Sequence, residues 1–434
     1  PQTPNPKPQT PNPKPHFYMN IFRSIIGRGL NIQLRAKMLR TNSSSTRNLD
    51  NTKEKMEEDK EIKERLVEAP QPSPSDTWKI LTYNIFMRPP GISSDKVGDL
   101  KNERLQSIIQ EILPKYDIIC FQEMFTKCNC RRDRLIKAAK AQGYKYFALP
   151  PDPPFWSLYF INSGLMTMSR HKIVKSDFLP FSHGSGVDSV AYKGLQYCRI
   201  IFEKRYPLNL FNVHLQAHYN PNDRKNIRSR LNQIAELRKG IELFLNTYTN
   251  IESSPNFDEP IYLIGDFNVC ANKHLFEKDN YLKRTKTNEH FFDFVEQIDP
   301  AKKTFSEYDY LIYMLRLPFS FNGQPNTVKD FLREKYGFHP VTYVNTIHDT
   351  RDPTTLTGIH DEDSMDFVFQ IIPSGQDPTR LDVMGSSDKC SMQSFPAFNK
   401  PFKFMSDHCG ADFQLSLRKT SLLSKEMMTP KEKL

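Results

Sequence analysis

No run in this 434-residue chain approaches the ~18 consecutive apolar residues that a membrane-spanning helix requires, so any contact with a bilayer has to be peripheral. Cysteine is sparse: seven residues, an odd number at scattered positions, with Cys128 and Cys130 the only close pair. A Cys-x-Cys with neither a second pair nor a nearby His is a poor zinc site, and no secretory leader points to an oxidising compartment. The cysteines therefore read as free thiols. Acidic residues are missing altogether from residues 1–49, which hold eight of the 60 Lys and Arg; the other 385 residues carry 52 basic against 50 acidic side chains, a net of +2. The formal charge of +10 thus comes mostly from the leader, and the body lacks the basic excess expected of a duplex-binding domain. Nor does the body contain an internal repeat. What is present, 38% apolar and 12% aromatic residues, suits a globular domain with a large core.

The first 76 residues read as a leader in three pieces. Residues 1–14 are PQTPNPK written twice, a sequence that supports neither helix nor sheet. From Met19 to Arg47 the chain is rich in Arg and Ser, with Phe22, Ile26, Leu30, Leu34 and Met38 at helical spacing. That is the composition of a mitochondrial targeting segment, and equally of a basic tail or a helix lying on an anionic membrane. Residues 50–68 alternate Lys and Glu as a solvated tether, which APQPSPS ends. The expected division is a disordered or targeting leader over 1–76, a catalytic domain over 77–418 and a basic tail over 419–434.

From Trp78 the pattern changes to strands and helices. WKILTYNIF (78–86) alternates as a strand, with Ile80, Thr82 and Asn84 on one face and Leu81, Tyr83 and Ile85 on the other. The spacing of Leu105, Ile108, Ile109 and Ile112 predicts a helix over 99–113, and RLIKAAKAQ (134–142) predicts a second that Gly143 stops. Further strands are expected at 117–123, 163–169, 195–203, 208–215 and 261–269, with a long helix over 223–245 between the last two. SMDFVFQII (364–372) and MSDHCGADF (405–413) are two more β-runs, each opened by acidic residues. Strands and helices are mixed and do not strictly alternate, which predicts an α/β fold: a two-sheet sandwich flanked by helices, in one domain of about 340 residues.

Polar residues collect at the ends of these strands. Asn84, Glu123, His214 and the Asp266/Asn268 pair close apolar strands; Asp366 and Asp407-His408 open them. If the two groups run antiparallel, all converge on one edge of the sandwich. Each also has a plainer reading: a GDFN turn for Asp266, a bend cap for Asn84, an ion pair for Glu123, a satisfied core histidine for His214. Six coincidences, all at strand ends, favour a site.

These motifs carry a resemblance. LTYNIF, IICFQEMF, NVHLQAH, LIGDFNV, SMDFVF and SDHCGADF occur in the order found in the Mg²⁺-dependent endonuclease/exonuclease/phosphatase superfamily. DSVAYKGLQYCRI (188–200) resembles the Asp-x-x-x-x-Lys-Gly element of its neutral sphingomyelinase branch, and HLQAH around His214 agrees. The resemblance implies a phosphodiesterase that hydrolyses sphingomyelin or a related phospholipid. Glu123 would bind Mg²⁺, for which Mn²⁺ can substitute, with Asn84 close to the metal or its waters. His408 would be the general base, titrating near ~6.5, with Asp407 beside it and Asp366 supporting it. Asp266 and Asn268, two apart on an extended strand end, would orient water and donate to developing charge, and His214 would assist the leaving alcohol. Asp188 and Lys193 would form a switch that changes partners on lipid, or else a simple loop salt bridge. Other members of the superfamily are nucleases or inositol-phosphate phosphatases, and an inactive scaffold is the alternative of another class. The expected partner is a phospholipid surface, not nucleic acid, at an intracellular, membrane-associated location. Phe155 and Trp156 in PPDPPFWSLYF (150–160) are the candidate membrane contact, with LIYMLRLPFSFNG (311–323) a second.

Overall fold

The computed structural model describes residues 77–418, apart from 93–97, 218–223, 252–256, 272–275, 278–288, 298–303, 321–322, 344–346 and 349–363. The leader 1–76, with the expectations placed on residues 19–49, and the tail 419–434 lie outside the described residues.

Side chains in a strand alternate between two faces, and in this chain the two rows of each long strand find different partners. The first sheet contains β1 (Thr77–Met87), β2 (Ile118–Met124), β3 (Tyr146–Ala148), β4 (Met166–Ser169), β13 (Val383–Gln393) and β14 (Gly410–Leu417), in the order β13-β14-β1-β2-β4-β3. The second contains β5 (Lys172–Pro180), β6 (Gly194–Phe202), β7 (Tyr206–His214), β8 (Ile261–Asp266), β11 (Thr327–Asp330) and β12 (Asp366–Ile372), in the order β11-β12-β8-β7-β6-β5. A separate two-stranded piece pairs β9 (Phe276–Glu277) with β10 (Thr304–Phe305).

The inward rows of both sheets, including Ile80, Ile118, Leu208, Leu210, Ile264, Val368 and Phe413, bury against one another as one core. The outward row of the first sheet (Leu81, Tyr83, Ile119, Phe121) packs under α1 (Lys101–Ser107), which continues through a wider turn to Ile112, and α2 (Arg131–Ala141). The outward row of the second (Phe211, Val213, Leu263, Phe367, Phe369) packs under α3 (Arg224–Tyr248), α4 (Glu289–Gln297) and α5 (Glu307–Arg316). A short α6 (Phe331–Tyr336) puts Phe331 and Leu332 into the inter-sheet core. The result is the expected sandwich, with helices outside both sheets.

Helix α3 buries Ile227, Leu231, Ile234, Leu237, Ile241 and Leu245 at the 3.6-residue spacing of its sequence. It is tied to α5 by a fully buried ion pair, Arg230 Nη2 to Glu307 Oε2 at 2.8 Å. The second candidate membrane segment is overturned here. Leu311, Met314, Leu315 and Phe319 are buried in the second sheet's outer core, because α5 presents its apolar stripe to that sheet. All seven cysteines are free, with Cys128 and Cys130 exposed.

Each inward row turns from apolar to polar as it nears one edge. Ile80 leads to Thr82 and Asn84, Cys120 to Gln122, Leu210 to Asn212 and His214, and Ile264 to Asp266. Just beneath the edge, Gln122 Nε2 donates to Thr82 Oγ1 (3.0 Å) and to Asn212 Oδ1 (2.7 Å). Thr167 Oγ1 donates to Gln196 Oε1 at 2.7 Å. These buried amides are hydrogen-bonded across the two sheets and join them below the edge.

Candidate active site

Strand direction gathers the polar ends. β1 is parallel to β2 and β7 parallel to β8, while β14 runs antiparallel to β1 and β12 antiparallel to β8. The C-terminal ends of four strands and the N-terminal ends of two therefore meet at one edge, as expected. The register sets Asp266 beside both Asp366 and His214.

Local breaks in regular geometry complete the arrangement. By strict alternation Glu123 would follow Phe121 to the outer face; its φ of 58° breaks the alternation, and its Oε1 accepts from Asn84 Nδ2 at 3.3 Å. Gly265, with φ of 140°, lies so close to β7 that a Cβ there would sit 2.1 Å from the Val213 carbonyl oxygen. Any other residue would push β8 away and carry Asp266 with it. Asn268 corrects the expectation of an extended strand end. β8 stops at Asp266, whose Oδ1 accepts from the Asn268 amide at 2.9 Å, and Asn268 itself takes a left-handed φ of 50°. GDFN is thus both a turn and part of the site.

Arg104, fully buried, anchors the loop before β14. Its guanidinium donates to the carbonyls of Asp99, Ile85, Met405 and Phe86, tying the end of β1 to residue 405. Ser406 Oγ donates to Asn84 O at 2.7 Å and accepts from His408 N.

At the centre, His408 Nδ1 and Asp366 Oδ2 are 2.8 Å apart, and Asn84 Nδ2 donates to Asp266 Oδ2 at 2.9 Å. Asn84 Oδ1 is engaged by the Phe86 amide, so Asn84 presents its NH₂ to the acids. Burial would lower the pKa of His408, but Asp366, Asp266 and Asp407 outweigh it and push it up to about 10. This departs from the ~6.5 of an unperturbed ring: the acids favour the imidazolium form. Burial likewise pushes Asp266 and Asp407 up to about 6, against the pull of His408, and raises Glu123.

The donor set fits a hard divalent cation. Glu123 Oε2 is buried with no hydrogen-bond partner, and so is Asp366 Oδ1; a carboxylate oxygen shut away from water without a donor is what a cation satisfies. Asp266, Asp366 and His408 also present ligand atoms within 4.8 Å of one another. His408 Nδ1 is committed to Asp366, however, which makes that group a hydrogen-bonded dyad with a neighbouring acid and leaves Glu123 as the better ligand.

His214 lies at the other end. Lys193 Nζ is 3.2 Å from His214 Nε2, 2.8 Å from Asp188 Oδ2, and donates to Leu215 O at 2.7 Å. Burial, then Lys193 and His408, hold the His214 pKa well below its usual value, so the ring is neutral and accepts at Nε2. Asp188 Oδ2 accepts from Ala217 N at 2.6 Å. The turn carrying Asp188 is joined to the aromatic loop, since Phe160 and Ile161 both donate to Val190 O (2.8 and 3.1 Å). In that loop Phe155, Trp156 and Leu158 are 93%, 77% and 82% exposed, which rules out the inward-folded alternative.

Sequence reasoning missed Arg104, Ser406, Thr342 and Tyr343. Thr342 Oγ1 accepts from the Met365 and Asp366 amides (2.9 and 3.0 Å), and the Tyr343 ring lies 5.0 Å from that of His408. Both fall in the polar 280–360 stretch, where no apolar period marks an element.

Residues 81–282 match the model of the endonuclease/exonuclease/phosphatase family. The chain is 30% identical over 404 residues to a sphingomyelinase of Dictyostelium discoideum, spanning 79% of this chain and 84% of that protein. It is 31% identical over 169 residues to sphingomyelin phosphodiesterase 5 of Danio rerio, spanning 36% of this chain and 29% of that protein. A solved beta toxin from Staphylococcus aureus with bound magnesium ions aligns at a TM-score of 0.48 and 16% identity, over 79% of this chain and 99% of that one.

Proposed function

The chain belongs to the neutral sphingomyelinase branch of the endonuclease/exonuclease/phosphatase superfamily, and from that premise we propose that it hydrolyses sphingomyelin to ceramide and phosphocholine with Mg²⁺ as its cation. The observation that carries this reading is the His408–Asp366 dyad facing Glu123 across one sandwich edge, in a chain related over most of its length to a sphingomyelinase.

Water attacks phosphorus; a new P–O bond forms, the bond to the ceramide oxygen breaks, and the water's proton goes to His408 Nε2. Asp366 fixes the ring through Nδ1 and stabilises the imidazolium that results. Mg²⁺ held by Glu123 would neutralise charge at the phosphoryl oxygens and oppose the acids that raise the proton affinity of His408. Asn84 spaces Glu123 from Asp266 by donating to both. Asp266 orients the water, Asn268 donates to the charge developing on the phosphoryl oxygens, and Asp407 adds negative charge behind the imidazolium. Once Lys193 has moved off its Nε2, His214 is freed of that cation's repulsion, can take up a proton and passes it to the leaving ceramide oxygen, so the Asp188–Lys193 pair is the regulatory element of the site.

The test is a substrate panel. Phosphocholine release from sphingomyelin vesicles is expected with Mg²⁺ and not with a chelator. Cleavage of abasic DNA in its place, with sphingomyelin untouched, sinks the reading.

The aromatic loop is the proposed membrane contact, and among the described residues no helix is long and apolar enough to cross a bilayer. Replacing Phe155 and Trp156 together by alanine is expected to cut turnover on vesicles by at least ~10-fold, from the lost burial of two large apolar groups. Turnover of a soluble choline phosphodiester should be unchanged. Equal activity of both proteins on vesicles would place the membrane contact elsewhere.

A further inference from the structure

Tyr343 is held from two directions beside the catalytic dyad. The preceding residue, Thr342, accepts at its carbonyl from Cys409 N (2.6 Å) and at its hydroxyl from the Asp366 amide (3.0 Å). Tyr343 itself pairs with His408 in an isolated antiparallel bridge. Its half-buried ring stands 5.0 Å from the His408 ring at 50° between planes. Burial raises its pKa, and so do Asp407, Glu123 and Asp266, while Arg88 opposes them. The ring therefore stands near Asp407, Glu123 and Asp266 as well as His408.

A trimethylammonium group has no hydrogen to donate. Proteins recognise it with an aromatic face and fixed negative charge, from which water is excluded. Asp407 and Asp266 oppose the nearby cations, the His408 ring and Arg88, the latter paired with Asp99 at 3.0 Å, and the π face is what Tyr343 adds to them. In a phosphocholine ester the ammonium is only two carbons removed from the phosphate oxygen. With phosphorus placed between His408 and Glu123, Tyr343, whose ring is 5.0 Å from that of His408, is within reach of it. We propose that Tyr343 is the specificity-determining residue that reads the quaternary ammonium of the headgroup. The proposal rests on the sphingomyelinase reading and narrows it to a single side chain.

The experiment compares wild type, Tyr343→Phe and Tyr343→Leu, all with Mg²⁺, on three soluble nitrophenyl phosphodiesters: choline, ethanolamine and uncharged ethyl. Wild type is expected to favour the choline ester. Tyr343→Phe, which keeps the ring, should stay within about threefold of wild type on all three. Tyr343→Leu should lose about tenfold or more in kcat/KM on the choline ester and about twofold or less on the ethyl ester. An equal loss on all three esters overturns the inference, since the ring would then be positioning His408. A loss in Tyr343→Phe matching that in Tyr343→Leu also overturns it, since the hydroxyl would be the contributor. If Tyr343→Leu fails to fold, Tyr343→Met, of similar bulk and without a π face, takes its place under the same criteria. Failure of the sphingomyelinase reading is distinguishable, because it appears in wild type: turnover of the ethyl ester with none of the choline ester.

Discussion

Replacing His408 by alanine is expected to lower kcat on sphingomyelin by ~10²–10⁴-fold, the usual worth of a positioned proton acceptor. A variant that keeps more than about a tenth of wild-type kcat would remove His408 from the reaction. The same residue should govern how stability depends on pH. Its folded pKa, about 10, lies above the ~6.5 of an unfolded His. The stabilisation it receives from the acids is therefore complete below ~6.5 and is lost as pH rises through about 10. Asp266 and Asp407, raised to about 6, act with the same sign: the folded state binds their protons more tightly, so stability falls as pH climbs from ~4 through about 6. Below pH ~6.5 the lowered pKa of His214 acts with the opposite sign, so the fall is read above it: the melting temperature of the chelated wild type should decline from pH ~7 to pH 10. In His408→Ala the decline above pH ~7 should flatten. A wild-type profile that is level above pH ~7 would contradict the imidazolium assignment.

Glu123→Gln is expected to reduce kcat/KM by about 10³-fold, corresponding to the several kcal/mol that a bound cation contributes to charge stabilisation. Gln keeps the length and the acceptor toward Asn84 but withdraws the charge proposed to hold the metal. Two readouts accompany the rate. The Mg²⁺ concentration for half-maximal activity should rise steeply in the variant, and calorimetric titration should show the loss of binding in the absence of substrate. Wild type treated with chelator should fall to the same floor as the variant. Undiminished activity in chelator would eliminate both the metal and the role of Glu123.

The interior of this fold was legible from its sequence, and its margins were not. β1, β2, β6, β7, β8 and β12 are covered on both faces, so their sequences are long apolar or alternating runs. Apart from the two-residue β9 and β10, the unrecognised strands, β3, β5, β11 and β13, are the four edges of the two sheets. Edge strands face water along much of their length, and SSDK within β13 or KSD within β5 carries no period that marks a strand. The site was legible for a related reason. A carboxylate or His at the end of an apolar strand is conspicuous by contrast, and strand direction then does the gathering. Backbone conformation was hidden: the left-handed φ of Glu123 and Asn268 follows from packing against Gly164 and from the turn after Gly265. The His408 pKa was misjudged because it depends on three acids from three separate segments.

The pairing of β1 with β14, Thr77 against Ser416, makes the first and last described strands neighbours. His408 stands just before β14, between Asn84 and Asp366, which belong to different sheets. During synthesis most of the second sheet can assemble behind the ribosome, but the first sheet lacks its penultimate strand until the end of the domain has emerged. A nascent chain that already carries Glu123 and the aromatic loop thus still lacks His408 in its place. On the roles proposed above, hydrolysis would begin only when the last strand closes the first sheet.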